Sequence, residues 1–124
     1  MAKVLFTNEH EYVQVKDGVA YVGISDYAQE QLGDIVYVEL PEIDDEVTIG
    51  DPMGVVESVK SASDIFAPVS GTIVEVNEAL EDQPELINED AMENWIAAVQ
   101  MSDESELDEL MDEDEYKAFL ESEA

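Results

Sequence analysis

A primary amine is the rarest chemical handle in this sequence. The 124 residues hold four cationic side chains, Lys3, Lys16, Lys60 and Lys117, with no arginine, one histidine at His10 and no cysteine. Lys60 lies in Glu57-Ser58-Val59-Lys60-Ser61-Ala62-Ser63-Asp64, between two strand-like runs of near-equal length, which places it at the apex of a predicted hairpin. An exposed lysine at a turn is ordinarily a solvated charge. A modifying enzyme, however, needs a protruding and sterically open amine, and a tight hairpin tip supplies one. Other chemistry is poorly provided for. One histidine cannot build a multi-histidine metal site, and the lack of cysteine removes disulfides, thiolate metal sites and thiol nucleophiles together. There is no Gly-rich phosphate loop and no Gly-x-Ser-x-Gly elbow. With 33 carboxylates, choosing two as an acid/base pair is arbitrary without a pocket. His10, beside a strand start, reads as a structural side chain more readily than as a proton shuttle.

The elements that would position Lys60 are short strands. Val13 and Val15 alternate with polar residues, Asp17-Gly18 turns the chain, and Val19 to Ile24 resumes the run, which is a hairpin signature. Ser25 is a predicted N-cap for a short helix through Leu32, stopped by Gly33. Further strands are predicted over Ile35 to Leu40, Val47 to Ile49, Met53 to Val59, Ile65 to Ala67, Gly71 to Val76 and Trp95 to Met101. This spacing predicts a mainly β fold, an antiparallel sandwich or flattened barrel. Gly33-Asp34-Ile35-Val36-Tyr37-Val38 is echoed by Gly71-Thr72-Ile73-Val74-Glu75-Val76, as two quasi-symmetric halves would require. Gly54 and Gly71, flanking the hairpin, read as close-packing or turn positions, and Trp95 as core. From Ser102 the character changes. Asp103 followed by Glu106 resembles a cap, and Leu107, Leu110, Met111, Phe119 and Leu120 form an apolar stripe, so one acidic helix over 102–124 is expected to dock on the sandwich.

At this length a single domain is expected. Apolar residues make up 45% of the chain, enough to bury a core. The formal charge of −29 disfavours nucleic-acid binding and anionic membranes, and favours partners with electropositive faces. No secretory signal and no membrane span is read in the sequence.

The hairpin segment resembles the lipoylation hairpin of the glycine cleavage system H-protein family. Other stretches match that family in order. They include Glu9-His10-Glu11-Tyr12-Val13, Val22-Gly23-Ile24-Ser25-Asp26-Tyr27-Ala28-Gln29 and the strand from Leu32 to Pro41. Ala67 to Gly71, Val76 to Leu80, Pro84 to Asn88 and Ser102 to Leu107 continue the series over nearly the whole chain. The resemblance implies a single lipoyl-carrier domain and a carrier protein rather than an enzyme. Lipoic acid would be amide-linked at Lys60, with Glu57, Ser58, Val59, Ser61 and Asp64 in hairpin recognition or arm contact. His10 and Glu11 would border an arm cleft, with Glu11 and Asp64 as candidates to hold a cationic amine. It further implies a shuttle that receives an aminomethyl group from a pyridoxal-phosphate glycine decarboxylase (P-protein). The group passes to a tetrahydrofolate-dependent aminomethyltransferase (T-protein), and the dithiol is reoxidised by dihydrolipoyl dehydrogenase (L-protein). Lipoyl-attachment enzymes complete the partners, and the chain is expected to be a monomer in the cytoplasm, or in the mitochondrial matrix after removal of a transit peptide.

The chain departs from the family pattern at Tyr12, where tryptophan is usual, at Met92-Glu93-Asn94-Trp95, and over Ala97 to Gln100, which lacks the lysines often found there. Rival readings are a lipoyl or biotinyl domain of a larger complex, an H-like protein relaying lipoyl groups to other complexes, and an unmodified acidic structural sandwich. An independent hydrolase is disfavoured because no nucleophile and base pair is evident.

Overall fold

The computed structural model describes residues 3–123. Those residues form nine strands in two antiparallel sheets, with short helices and a C-terminal helix. The larger sheet contains β1 (Lys3–Phe6), β2 (Glu11–Lys16), β3 (Val19–Ile24), β5 (Glu46–Val47), β8 (Gly71–Val76) and β9 (Ala97–Met101), in the order β1-β2-β3-β9-β8-β5. The smaller contains β4 (Ile35–Glu39), β6 (Pro52–Ser58) and β7 (Ala62–Phe66), in the order β4-β6-β7. Period-two alternation sends Val13, Val22, Ile73 and Val99 from one sheet and Val38, Val56 and Ile65 from the other into a common core, each at most 2% exposed.

The predicted hairpin at Asp17-Gly18 forms, with Asp17 and Gly18 at φ 52° and 80°. Ser25 caps α1 (Asp26–Leu32), its Oγ accepting the Ala28 N–H at 3.2 Å, and Gly33 at φ 81° ends the helix. The internal echo also has a structural counterpart. Ile35 and Ile73 are both buried, while Val36 and Val74 are both exposed, and each strand slips register around that valine. The two copies therefore occupy corresponding bulged positions, one in each sheet.

The β5 strand covers only Glu46–Val47, shorter than expected, because the Ile49 N–H turns to the Ser70 Oγ at 2.9 Å instead of continuing the ladder. β1 was not predicted, and neither were the exact positions of α2 (Ala79–Asp82) and α3 (Leu86–Glu89), which carry the buried Leu80 and Ile87.

The tail differs from the single helix predicted over 102–124. It divides into a 3₁₀ helix over Glu104–Glu109 and α4 over Glu113–Glu123. Between them Met111 pairs with Phe6, its N–H donating to Phe6 O at 2.9 Å and its own carbonyl accepting the Phe6 N–H at 2.8 Å. Those two backbone groups cannot serve a continuous helix at the same time. Asp103 caps as expected, accepting the Ser105 N–H at 3.0 Å. Glu106 does not complete a capping box there; it crosses to Ser70, accepting from its N–H at 2.7 Å and its Oγ at 2.8 Å. The capping box belongs to α4, where Asp112 accepts the Glu115 N–H at 2.8 Å and Glu115 accepts the Asp112 N–H at 3.0 Å. The apolar stripe docks as predicted: Leu107 and Leu110 join the main core, and Met111, Phe119 and Leu120 pack around Phe6, Tyr12 and Tyr116.

Candidate functional site

β6 and β7 pair from Pro52 opposite Phe66 to Glu57 opposite Ala62, leaving Ser58 to Ser61 as the turn. Ser58 builds that turn. Its N–H donates to Ser61 O at 2.8 Å, and its Oγ accepts the N–H groups of Lys60 and Ser61, both at 3.1 Å. The hydroxyl proton goes to Ser61 O at 3.2 Å, so one serine side chain satisfies three backbone groups of the tip. Val59 is 67% exposed at the apex, and its N–H donates to Asp34 O at 3.1 Å, tying the tip to the loop after α1. Lys60 is exposed beside it. Its stem crosses Gly33: a Cβ at Gly33 would lie 3.3 Å from Lys60 Cε. Gly33 therefore serves the tip as well as the helix end, a role hidden from sequence reading because it depends on the approach of a distant hairpin. Glu57 and Asp64 pair opposite Ala62 and Val55 on the side of the small sheet away from the buried Val38 and Val56.

A cleft of about 350 Å³ opens where the other end of β7 meets β1 and the C-terminal segment. Phe6, Phe66, Leu110 and Phe119 line it with apolar surface. Its charged lining residues are Glu9, Glu11 and Glu109, all acidic. Glu11 is only 3% exposed. Its Oε1 accepts from Thr7 Oγ1 at 2.6 Å and its Oε2 from the Phe66 N–H at 3.2 Å. Burial pushes its carboxyl from 4.5 up to about 7, against the opposing pull of the Thr7 and Phe66 hydrogen bonds.

The structure places Glu11 in this cleft but brings neither His10 nor Asp64 to its lining. His10 has φ 71°, and this left-handed backbone turns its ring to the far side. There Nδ1 lies 2.8 Å from Tyr116 Oη, and the ring packs against Tyr27 at 4.8 Å. Tyr116 Oη also lies 2.8 Å from Ser25 Oγ, so His10 helps to fasten α4 to the cap of α1. Asp64 is exposed on the outer face of the hairpin sheet.

The departures from the family pattern are accommodated by packing. Tyr12 is fully buried against Gly23, where an added Cβ would come within 2.6 Å of its ring, and its hydroxyl donates to Ala91 O at 2.8 Å. Trp95 is half-buried and meets Tyr21 edge-on at 5.1 Å. Gly54 and Gly71 are close-approach positions, since a Cβ would lie 2.7 Å from Glu39 O and 2.1 Å from Gln100 O respectively. No helix among the described residues is long and apolar enough to cross a membrane, and no cluster of metal-ligating side chains occurs among them.

The family model for the glycine cleavage H-protein matches residues 4–123. A glycine cleavage system H protein from Alcanivorax borkumensis is 57% identical over 123 residues, covering 98% of this chain and 96% of its own. One from Alkaliphilus oremlandii is 53% identical over 124 residues, covering 100% and 98%. The crystal structure of a glycine cleavage system H protein from Mycobacterium marinum superimposes with a TM-score of 0.86 at 39% identity, covering 94% of each chain. A match over nearly every residue, in sequence and in fold, establishes that the chain belongs to the glycine cleavage H-protein family.

Proposed function

We propose that this chain is the lipoyl-bearing shuttle of the glycine cleavage system, with Lys60 as the attachment point. It carries the aminomethyl group from the P-protein to the T-protein and electrons to the L-protein, acting as a carrier and not as a catalyst. The observation that supports this reading is the tip itself: an exposed amine on a turn prearranged by Ser58, with Gly33 leaving room for its stem.

The residues present fit the group. An amide at Lys60 Nζ removes a charge that stands in water, so modification carries no cost of breaking a buried pair. When attached, lipoic acid supplies a cyclic disulfide whose five-membered ring cannot reach the relaxed dihedral near 90°, which makes it a ready acceptor in thiol exchange. No cysteine in the chain competes for that exchange.

The chain's own groups then have distinct tasks. Ser58 and the Val59 to Asp34 hydrogen bond hold the tip in one shape for the attachment enzymes. Glu57 and Ser61 flanking the tip, and Asp64 further along β7, present polar groups for their recognition. Glu11 holds the cationic amine of the cargo in the cleft, where Phe6, Phe66 and Phe119 limit access of water. The ammonium favours the ionised form of Glu11, so cargo and carboxylate stabilise each other. The charge of −29 steers encounters toward electropositive partner faces and suits brief contacts with several enzymes in turn. In this reading the chain works as a monomer in the cytoplasm.

Reconstitution tests it. With lipoylated chain, P-, T- and L-proteins, glycine and tetrahydrofolate, NAD reduction is expected to depend on this chain and to be lost in Lys60→Ala. Equal NAD reduction with Lys60→Ala would overturn the assignment.

A further inference from the structure

Glu11 sits at the end of a tight loop whose hub is Thr7. The Thr7 N–H donates to Glu11 O at 2.9 Å, and the His10 N–H donates to Thr7 O at 3.2 Å. The Thr7 hydroxyl has its own pattern. It accepts the N–H of Glu9 at 3.1 Å and of Glu11 at 3.2 Å, which occupies both of its lone pairs. Its single proton is left for Glu11 Oε1 at 2.6 Å, a distance typical of a donor bonded to a charged oxygen. The hydroxyl is thus fixed as a donor toward the carboxyl by two backbone groups rather than free to rotate.

We propose that Thr7 is a positioning residue: its hydroxyl holds the Glu11 carboxyl in the orientation and the ionised state that binding a cationic amine requires. This rests on the reading of the cleft as an amine-holding site. A donor that cannot accept stabilises a carboxylate and gives a protonated carboxyl no partner for its proton at that oxygen. The surroundings make that donor necessary. Glu9 from the loop and Glu109 from the end of the 3₁₀ helix are the other charged groups lining the cleft, and the charge of Glu9 disfavours ionisation of Glu11. β7 contributes one donor, the Phe66 N–H, and the His10 ring turns away.

The test is the carbon-13 titration of the Glu11 side-chain carboxyl in the full-length chain, with the amide spectrum confirming the fold. Thr7→Val is expected to titrate about one pH unit higher than the wild type, a tenfold change in the protonation equilibrium equal to ~1.4 kcal/mol. Thr7→Ala serves as a second hydroxyl-free variant should valine not fold. Thr7→Ser, which keeps the hydroxyl, is expected to titrate with the wild type. Hydroxyl-free variants that fold and titrate with the wild type would overturn the proposal. A separate measurement, the spontaneous loss of the loaded aminomethyl group, isolates the underlying reading. If Glu11→Gln loses it at the wild-type rate while Thr7→Val still shifts the titration, the amine-holding cleft fails and the control of Glu11 by Thr7 stands.

Discussion

Replacing Glu11 by glutamine should change how stability depends on pH, in a direction and amount set by the cleft. In the unfolded chain the carboxyl titrates near 4.5, and in the fold burial moves it to about 7. Between those values the native state holds a proton that the unfolded chain has released, so stability falls as pH rises through this window and the penalty is constant above it. The interval corresponds to a penalty of about 3 kcal/mol at ~1.36 kcal/mol per pH unit, and Glu11 is only 3% exposed, so solvent screening reduces it little. Glutamine is nearly isosteric and never ionises. The two proteins should therefore be similarly stable near pH 5, and the variant should gain about 2–3 kcal/mol on the wild type by pH 8. Urea unfolding at a series of pH values measures the difference, in which the titration of the remaining carboxylates cancels. A difference that stays flat from pH 5 to 8 would refute the claim that Glu11 is a buried carboxyl titrating near neutrality.

Three other outcomes are expected. Tyr116→Phe removes the hydroxyl between His10 and Ser25 and should cost about 1–2 kcal/mol, with hydrogen exchange accelerated in α4 before the sheets; unchanged exchange in α4 would contradict the fastening role. Gly71→Ala places a Cβ 2.1 Å from a backbone carbonyl and should destabilise more than Gly50→Ala, where φ 90° strains the backbone but nothing lies within 4 Å, as comparison of their urea midpoints will report. The self-repulsion of a −29 charge should raise the thermal midpoint between dilute buffer and molar KCl, since screening acts within about 10 Å at 0.1 M salt; equal midpoints would count against it.

The hairpin around Lys60 was legible because everything it needs is local: alternating residues on both sides, a serine able to satisfy the turn, and a lysine at its centre. The helix after Ser25 was legible for the same reason, with its cap and its glycine stop adjacent in sequence. The break in the tail was not, because it is caused by Met111 pairing with Phe6, a hundred residues away in the chain, which local propensity cannot register. The cleft was half legible. His10 and Glu11 are neighbours, and the resemblance assigned both to one cleft, but the left-handed backbone at His10 sends the two side chains to opposite tasks. Asp64 shares a strand face with Phe66 two residues on, but it lies one step nearer the hairpin tip and falls outside the lining of the cleft. Thr7 carried no motif that singled it out, and its importance rests on the loop that folds it back onto Glu11.

The central claim is that Lys60 is the attachment point, and intact mass tests it most directly. Wild type and Lys60→Ala, each expressed with a lipoyl-attachment enzyme and lipoate, should differ by one lipoyl amide present on the first and absent from the second. A lipoyl group on both proteins, or on neither, would contradict the account.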